Sequence, residues 1–173
     1  MVAAAVILPK DILIDGVNDS KKLTENKRKV LFEEIKQKAF SYGIGIVDSK
    51  TIDEINILQA TFLAMTKAIE QLSVTPDLVL IDGNHTVRNL KLKQQAIVSG
   101  DAKSACIACA SILAKVTRDN MMYEYAKQYP QYNFEKHKGY GTKAHLEAIQ
   151  KYGPCPIHRM TFAPLNCKQP ELL

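Results

Sequence analysis

Residues 76–84 read P-D-L-V-L-I-D-G-N, and this stretch decides what kind of sheet the chain can build. Residues 78–81 are an unbroken apolar run bounded by Pro76 and Gly83. A half-buried strand alternates apolar and polar residues, whereas a strand covered on both faces is apolar throughout, so the pattern predicts a buried strand of an α/β sheet. The run ends in Asp82 and Gly83. Open α/β sheets carry their chemistry outside the carboxyl ends of their strands, which makes a carboxylate at that point a candidate site. Asp-Gly is also a common turn dipeptide, so Asp82-Gly83 taken alone reads equally well as a plain turn.

Toward the N-terminus, residues 2–8 (V-A-A-A-V-I-L) are a second apolar run closed by Pro9, which predicts a strand. Residues 17–23 (V-N-D-S-K-K-L) then bring Asp19, Ser20, Lys21 and Lys22 together. The next segment predicts a helix with Thr24 as its cap, Glu25 in its first turn, Val30, Leu31, Ile35 and Phe40 on one side, and Gly43 as its end. Residues 44–47 predict a strand. Thr51 and Glu54 have capping-box spacing and open a helix running to about residue 72. Ile55, Leu58, Phe62, Met65 and Ile69 repeat along it at helical spacing, the signature of a core stripe.

Toward the C-terminus, residues 95–98 predict a further short strand, and Asp101 is placed to cap a helix rich in Ala, Ser and Cys. Side chains that small require close packing against the sheet. Lys103, Ser104, Lys115, Arg118 and Asp119 interrupt the apolar pattern, and Lys115 and Asp119, four apart, share a helix face. They read either as a solvated ion pair or as a second acid directed at Asp82. Residues 137–142 (H-K-G-Y-G-T) set Tyr140 between two glycines beside basic residues. This is either a ligand-facing loop with a flat aromatic face or a simple lead into a helix capped by Thr142 and ended by Gly153. The proline-rich remainder predicts no regular structure.

A chain of 173 residues that is 46% hydrophobic is expected to form one domain over residues 1–173 with a substantial core. No apolar run approaches a membrane span and no leader pattern opens the sequence, so a cytoplasmic protein with no membrane association is expected. The formal charge of +5 permits an anionic partner such as nucleic acid. Cysteines stand at 106, 109, 155 and 167, and C-I-A-C with C-P-I-H imitates a zinc site built from Cys106, Cys109, Cys155 and His158. The small apolar neighbours of Cys106 and Cys109 favour buried thiols instead.

N-D-S-K-K-L, I-D-E-I-N-I-L-Q-A-T, L-I-D-G-N, G-D-A-K-S, A-S-I-L-A-K-V-T-R-D, H-K-G-Y-G-T and G-P-C-P-I-H-R, taken in this order, closely resemble bacterial ribonuclease HII, the type 2 ribonuclease H. The resemblance covers nearly the whole chain. It implies an α/β, ribonuclease H-like mixed sheet flanked by helices. The implied activity is metal-dependent endonucleolytic cleavage of the RNA strand of RNA–DNA hybrids and of single ribonucleotides embedded in duplex DNA. Asp82 and Asp119 then correspond to two of four acidic residues that are both catalytic and ligands of Mg²⁺ or Mn²⁺, hard ions suited to carboxylates. Lys21, Lys22 and Lys103 correspond to substrate-backbone contacts, and Tyr140 to the tyrosine that stacks on the sugar at the ribose to deoxyribose junction. A monomer is implied for the complete protein.

The family's remaining two acids belong to an Asp-Glu-Ala-Gly-Arg-Gly segment ending a strand that precedes the counterpart of residues 2–8, and that segment does not occur in these 173 residues. The expectation is therefore a ribonuclease HII chain without its first strand, of reduced or lost activity. The competing expectation is a catalytically inactive hybrid-binding domain that keeps the lysines and Tyr140.

Overall fold

The computed structural model describes residues 1–17 and 23–165. Strand β1 (Val2–Ile7) pairs antiparallel with β2 (Ser41–Ile46), Val2 opposite Ile46 and Ile7 opposite Ser41. Between them runs helix α1 (Glu25–Lys38), whose Thr24 side chain accepts from the Lys27 N–H as expected of an N-cap. The helix stops at Ala39 rather than at Gly43. The Phe40 N–H already donates to the Ile7 carbonyl at 2.9 Å, so the chain has joined the edge of β1 and cannot also continue helical bonding. Strand β2 accordingly begins three residues before the apolar pattern suggested. Of the four apolar residues expected inside, Leu31 and Ile35 are buried, while Val30 and Phe40 are 67% and 61% exposed.

Helix α2 (Ser49–Glu70) is capped by Asp48, whose Oδ1 accepts from the Thr51 N–H at 2.8 Å, and not by Thr51. At Asn56 the backbone leaves helical geometry (φ 69°), and the Asn56 side chain recaps the next helical turn by accepting from the N–H groups of Leu58 and Gln59. The core face of α2 is also different from the expected stripe. Ala60, Ala64 and Ala68 are fully buried, whereas Leu58 is 45% exposed. The reason lies in β2: a Cβ on Gly43 or Gly45 would stand 2.0 Å from the Ala68 carbonyl oxygen or 1.9 Å from that of Ala64. Helix and strand approach so closely that only glycine facing alanine fits.

Strand β3 (Val79–Asp82) pairs parallel with β4 (Gln94–Ile97). The expected mixed α/β character is present, but among the described residues the strands form two separate two-stranded sheets. A cleft of about 640 Å³ separates β1 from β3, with Met65 and Ile69 of α2 among its walls. This cleft is why residues 78–81 are not covered on both faces: Ile81 is 5% exposed but Leu78 is 47% exposed.

Helix α3 (Ala105–Gln128) is the longest element and packs on both β1 and α1. Its cap is Ser104, which accepts from the Ile107 N–H, while Asp101 sits in the preceding 3-10 turn Gly100–Ala102. Cys109, Ile112, Leu113 and Val116 pack with Leu31 and Ile35 in one core cluster. Burying a side chain such as Ile112 or Leu113 contributes about 1.5–3 kcal/mol. A separate cluster joins Tyr132, Phe134 of α4 (Phe134–His137), Ala148 and Ile149 of α5 (Lys143–Tyr152), and Cys155. The irregular segment after α5 is fastened to the start of α2, where Asp53 accepts from the Met160 and Thr161 N–H groups. Cys109 and Cys155 thus serve two different cores, which removes the four-ligand zinc reading; Cys167 lies outside the described residues. Among the described residues, no helix is long and apolar enough to cross a membrane.

Candidate active site

Asp82 is the last residue of β3, and its Oδ1 accepts the Gly100 N–H at 2.8 Å, which ties the strand end to the turn before α3. Gly83 follows at φ +114°, a conformation closed to ordinary side chains, and its N–H closes the ladder on the Ile97 carbonyl at 3.0 Å. The dipeptide is therefore a turn and a site edge at once: the glycine turns the backbone, and the exposed carboxylate lines the β1–β3 cleft.

Lys115 of α3 lines the same cleft, and its ammonium lies 2.7 Å from Oδ1 of Asp119 one turn further on. The pair is intrahelical, as one reading of the spacing held. It is not on a solvated face, because Asp119 is only 6% exposed. Burying a carboxylate is costly unless it is paired, and Lys115 meets that cost. Asp119 is thereby held one helical turn from a residue that shares a cleft with Asp82.

The side chain of Lys103 donates to the Val98 carbonyl at 2.8 Å and steadies the loop between β4 and α3. Lys21 and Lys22 lie outside the described residues. Tyr140 projects from the loop between α4 and α5 and is 60% exposed, a flat face open to a ligand. Its loop turns through Lys138 (φ 51°) and Gly139 (φ 76°) before Thr142 caps α5. Under the ring stands Arg118, its guanidinium 5.0 Å from the ring centroid and its Nη2 donating to the Lys138 carbonyl at 2.8 Å. Helix α3 therefore carries the buried acid and, one residue earlier, the support of the exposed aromatic.

Arg118 stood out in the sequence only as a polar interruption of a helix. Its place beneath Tyr140 was not legible, because residues 118 and 140 meet only through the α3–α4 packing. His137, His145 and His158, which gather behind the same loop, also went unremarked as a group. The available signal was that all three fall within or beside H-K-G-Y-G-T and C-P-I-H-R.

Asp82 and Asp119 fit a hard divalent cation in kind, being carboxylates. They do not fit it in number. Among the described residues no group of three or more His, Cys, Asp or Glu side chains gathers closely enough to hold a metal ion. What the described residues do provide is an acid at a strand end, a buried acid with its ammonium, a lysine-steadied loop and an aromatic platform.

Comparison with known proteins places the whole described chain. Residues 1–165 match the family model described as Ribonuclease HII. Over 166 residues the chain is 64% identical to the Ribonuclease HII of Endomicrobium trichonymphae, covering 96% of this chain and 79% of that one. In fold it is similar to the ribonuclease H2 of Pyrococcus horikoshii OT3, with a TM-score of 0.73, 23% identity and 96% of each chain covered. It is similar also to Bst-RNase HIII solved in complex with Mn²⁺, with a TM-score of 0.63, 14% identity, and 87% of this chain and 56% of that one covered.

Proposed function

The chain belongs to the ribonuclease HII family and is by that membership a ribonuclease H; on that premise we propose that it is a metal-dependent endonuclease acting on RNA–DNA hybrids and on ribonucleotides embedded in duplex DNA. The observation that carries this reading is that Asp82, at the carboxyl end of β3, and Lys115 line one cleft, Lys115 being ion-paired with the buried Asp119. In this reading the two aspartates are catalytic and take part in holding Mg²⁺ or Mn²⁺. When bound, such ions stabilise the attacking and leaving oxygens of a phosphodiester displacement. The neighbour solved with Mn²⁺ supports the choice of ion.

Substrate binding falls to the chain's own cations and to Tyr140. Lys21, Lys22 and Lys103 offset phosphate charge without reading bases. The exposed face of Tyr140, backed by Arg118, stacks on the sugar at the junction. We assign the whole to one domain, working as a monomer in the cytoplasm.

The cleft between β1 and β3 bears on activity. Among the described residues each of the two strands is bonded to one partner, and residues of both line this cleft, Asp82 among them. An extended strand seated there would pair with both edges and bring its own end beside Asp82. In the family resemblance, that strand carries the two further acids of Asp-Glu-Ala-Gly-Arg-Gly. We therefore take the 173 residues alone to be weakly active or inactive. A second reading, a hybrid-binding domain without catalysis, rests on the exposed face of Tyr140, which would serve binding with or without hydrolysis.

The experiment is a cleavage assay on a duplex containing one ribonucleotide, with Mg²⁺, Mn²⁺ or chelator, alongside binding to the same duplex. The 173-residue chain and a form extended before Met1 by a family-like first strand are compared. Metal-dependent cleavage by the extended form establishes the nuclease reading. Binding without cleavage by both forms establishes the binding-domain reading, and neither binding nor cleavage refutes both.

A further inference from the structure

Behind the Tyr140 loop three imidazoles gather, two of them in one hydrogen-bonded series. The backbone N–H of Cys155 stands 2.9 Å from Nδ1 of His158, closer than the Cys155 carbonyl at 3.3 Å, so we assign that nitrogen as the acceptor and place the proton of the neutral ring on Nε2. Nε2 of His158 lies 3.0 Å from Nε2 of His145, which must then accept. His145 in turn carries its proton on Nδ1, 2.9 Å from the carbonyl oxygen of Tyr140, to which it donates. Every hydrogen bond in the series Cys155, His158, His145, Tyr140 has one donor and one acceptor, provided both rings are neutral. His137 repeats the pattern beside it. Its Nδ1 accepts the Gly139 N–H at 3.2 Å, its Nε2 faces the Tyr132 carbonyl at 2.7 Å, and its ring stacks on His145 with centroids 4.3 Å apart.

We propose that His145 and His158 are positioning residues for Tyr140: a relay of neutral imidazoles that sets the Tyr140 loop and releases it when either ring takes a second proton. The proposal rests on the reading of Tyr140 as the junction-stacking residue, and goes beyond it by naming what holds that residue and when. A proton added to His145 puts N–H against N–H at the 3.0 Å contact, with no acceptor between them. The Tyr140 carbonyl is then held by a ring being driven away from its neighbour.

A second proton on His145 meets the His158 N–H at its Nε2, and one on His158 displaces the Cys155 N–H from Nδ1, where the Cys155 carbonyl at 3.3 Å is the acceptor left to it. Phe134 packs edge-on against His145, and Tyr132 against His158. The Cys155 thiol, 3.1 Å from Nδ1 of His158, is kept protonated by burial. The charged groups around the loop are Arg118 from α3, which grips the Lys138 carbonyl, Lys138 itself, Glu135 of α4, whose carbonyl accepts from Lys138, Arg159 next to His158, and Asp53 of α2, held by the Met160 and Thr161 N–H groups. Lys143 and Glu147 of α5 pair with each other on its exposed side. Burial first, and the neighbouring imidazoles after it, hold His145 and His158 below the ordinary histidine value of 6.5, against the opposing pull of the Tyr140 carbonyl and the Cys155 backbone. A ring whose pKa is lowered on folding leaves stability intact above the unfolded value. Stability is lost as pH falls from about 6.5 through the folded values.

Two measurements test the relay. The first needs no variant: long-range ¹⁵N–¹H NMR of the imidazoles at neutral pH should show His145 protonated on Nδ1 alone and His158 on Nε2 alone. The opposite tautomer, or a doubly protonated ring, at either site overturns the proposal. The second uses the absence of tryptophan from the chain, which makes Tyr140→Trp its sole tryptophan, excited selectively beyond the absorption of the remaining tyrosines. Between about pH 7.5 and about pH 5 its emission should change reversibly with a midpoint below the ordinary histidine value, with far-ultraviolet circular dichroism unchanged. The change should be lost when His145→Gln or His158→Gln is added; an identical transition in both, or none in the parent, overturns it. With Tyr140 in place, the preference for a ribonucleotide junction over plain duplex should fall about tenfold across the same window, the size of one weak stacking contact. If Tyr140→Ala leaves that preference untouched, the stacking reading fails while the tautomers and the fluorescence transition still decide the relay.

Discussion

The Lys115 ammonium and the Asp119 carboxylate lie 2.7 Å apart on successive turns of α3, with Asp119 almost wholly buried. Removing one partner leaves the other charge without compensation in a site water barely reaches. Lys115→Met should therefore lower stability by about 1–3 kcal/mol in urea unfolding. Asp119→Asn, which keeps shape and acceptor while removing the charge, should cost less. Equal losses would mean that the pair is held by packing and not by its charges.

In the protein extended before Met1 by a family-like first strand, cleavage should rise from trace to robust and should require Mg²⁺ or Mn²⁺. Asp82→Asn in that protein should abolish turnover with circular dichroism unchanged, because an asparagine oxygen can still accept the Gly100 N–H while the charge is lost. The extension should also raise the thermal midpoint, since it pairs strand edges that otherwise face the cleft. Vigorous metal-dependent cleavage by the 173 residues alone, free of host ribonuclease H, would contradict the need for added acids.

Tyr140→Ala should weaken recognition of the ribonucleotide junction by about 1–3 kcal/mol while plain duplex binding changes little. Arg118→Met should produce part of the same loss by removing the cation beneath the ring. Equal losses on junction and plain DNA would show that the aromatic serves affinity and not discrimination.

Hybrid affinity should fall steeply with salt and depend little on sequence, because the candidate contacts are to the backbone. Lys21→Ala with Lys22→Ala should flatten the plot of log affinity against log salt by about 1–2 units. An unaltered slope would show that neither lysine neutralises a phosphate.

Gly45→Ala should destabilise the protein by about 1–3 kcal/mol or more, as overpacking does, because its Cβ would meet the Ala64 carbonyl at 1.9 Å. Gly141→Ala, with open space around the added carbon, serves as the control in the same denaturation experiment.

The order of the four strands and of helices α1, α2, α3 and α5 was legible in the sequence, whereas the short helix α4 was not. The apolar runs at 2–8 and 78–81 became strands Val2–Ile7 and Val79–Asp82, and the caps at Thr24 and Thr142 are local chemistry that needs only the next three residues. The ordered motifs also named the candidate carboxylates and Tyr140. Tertiary structure decided which faces are covered. Of the expected stripe, Ile55 and Met65 pack against the core while Leu58 is exposed, and full burial falls to Ala60, Ala64 and Ala68 because Gly43 and Gly45 of a distant strand admit nothing larger; no periodicity along α2 records what lies across from it. Exposure of Leu78 likewise reflects the cleft beside β3, not its own apolar run. The support of Tyr140 by Arg118 and His145, 22 and 5 residues away in opposite directions, arises only when α3, α4 and α5 pack together. Local propensity acts over a few residues, whereas burial and hydrogen-bond partnership are set by whichever segments the whole chain brings side by side.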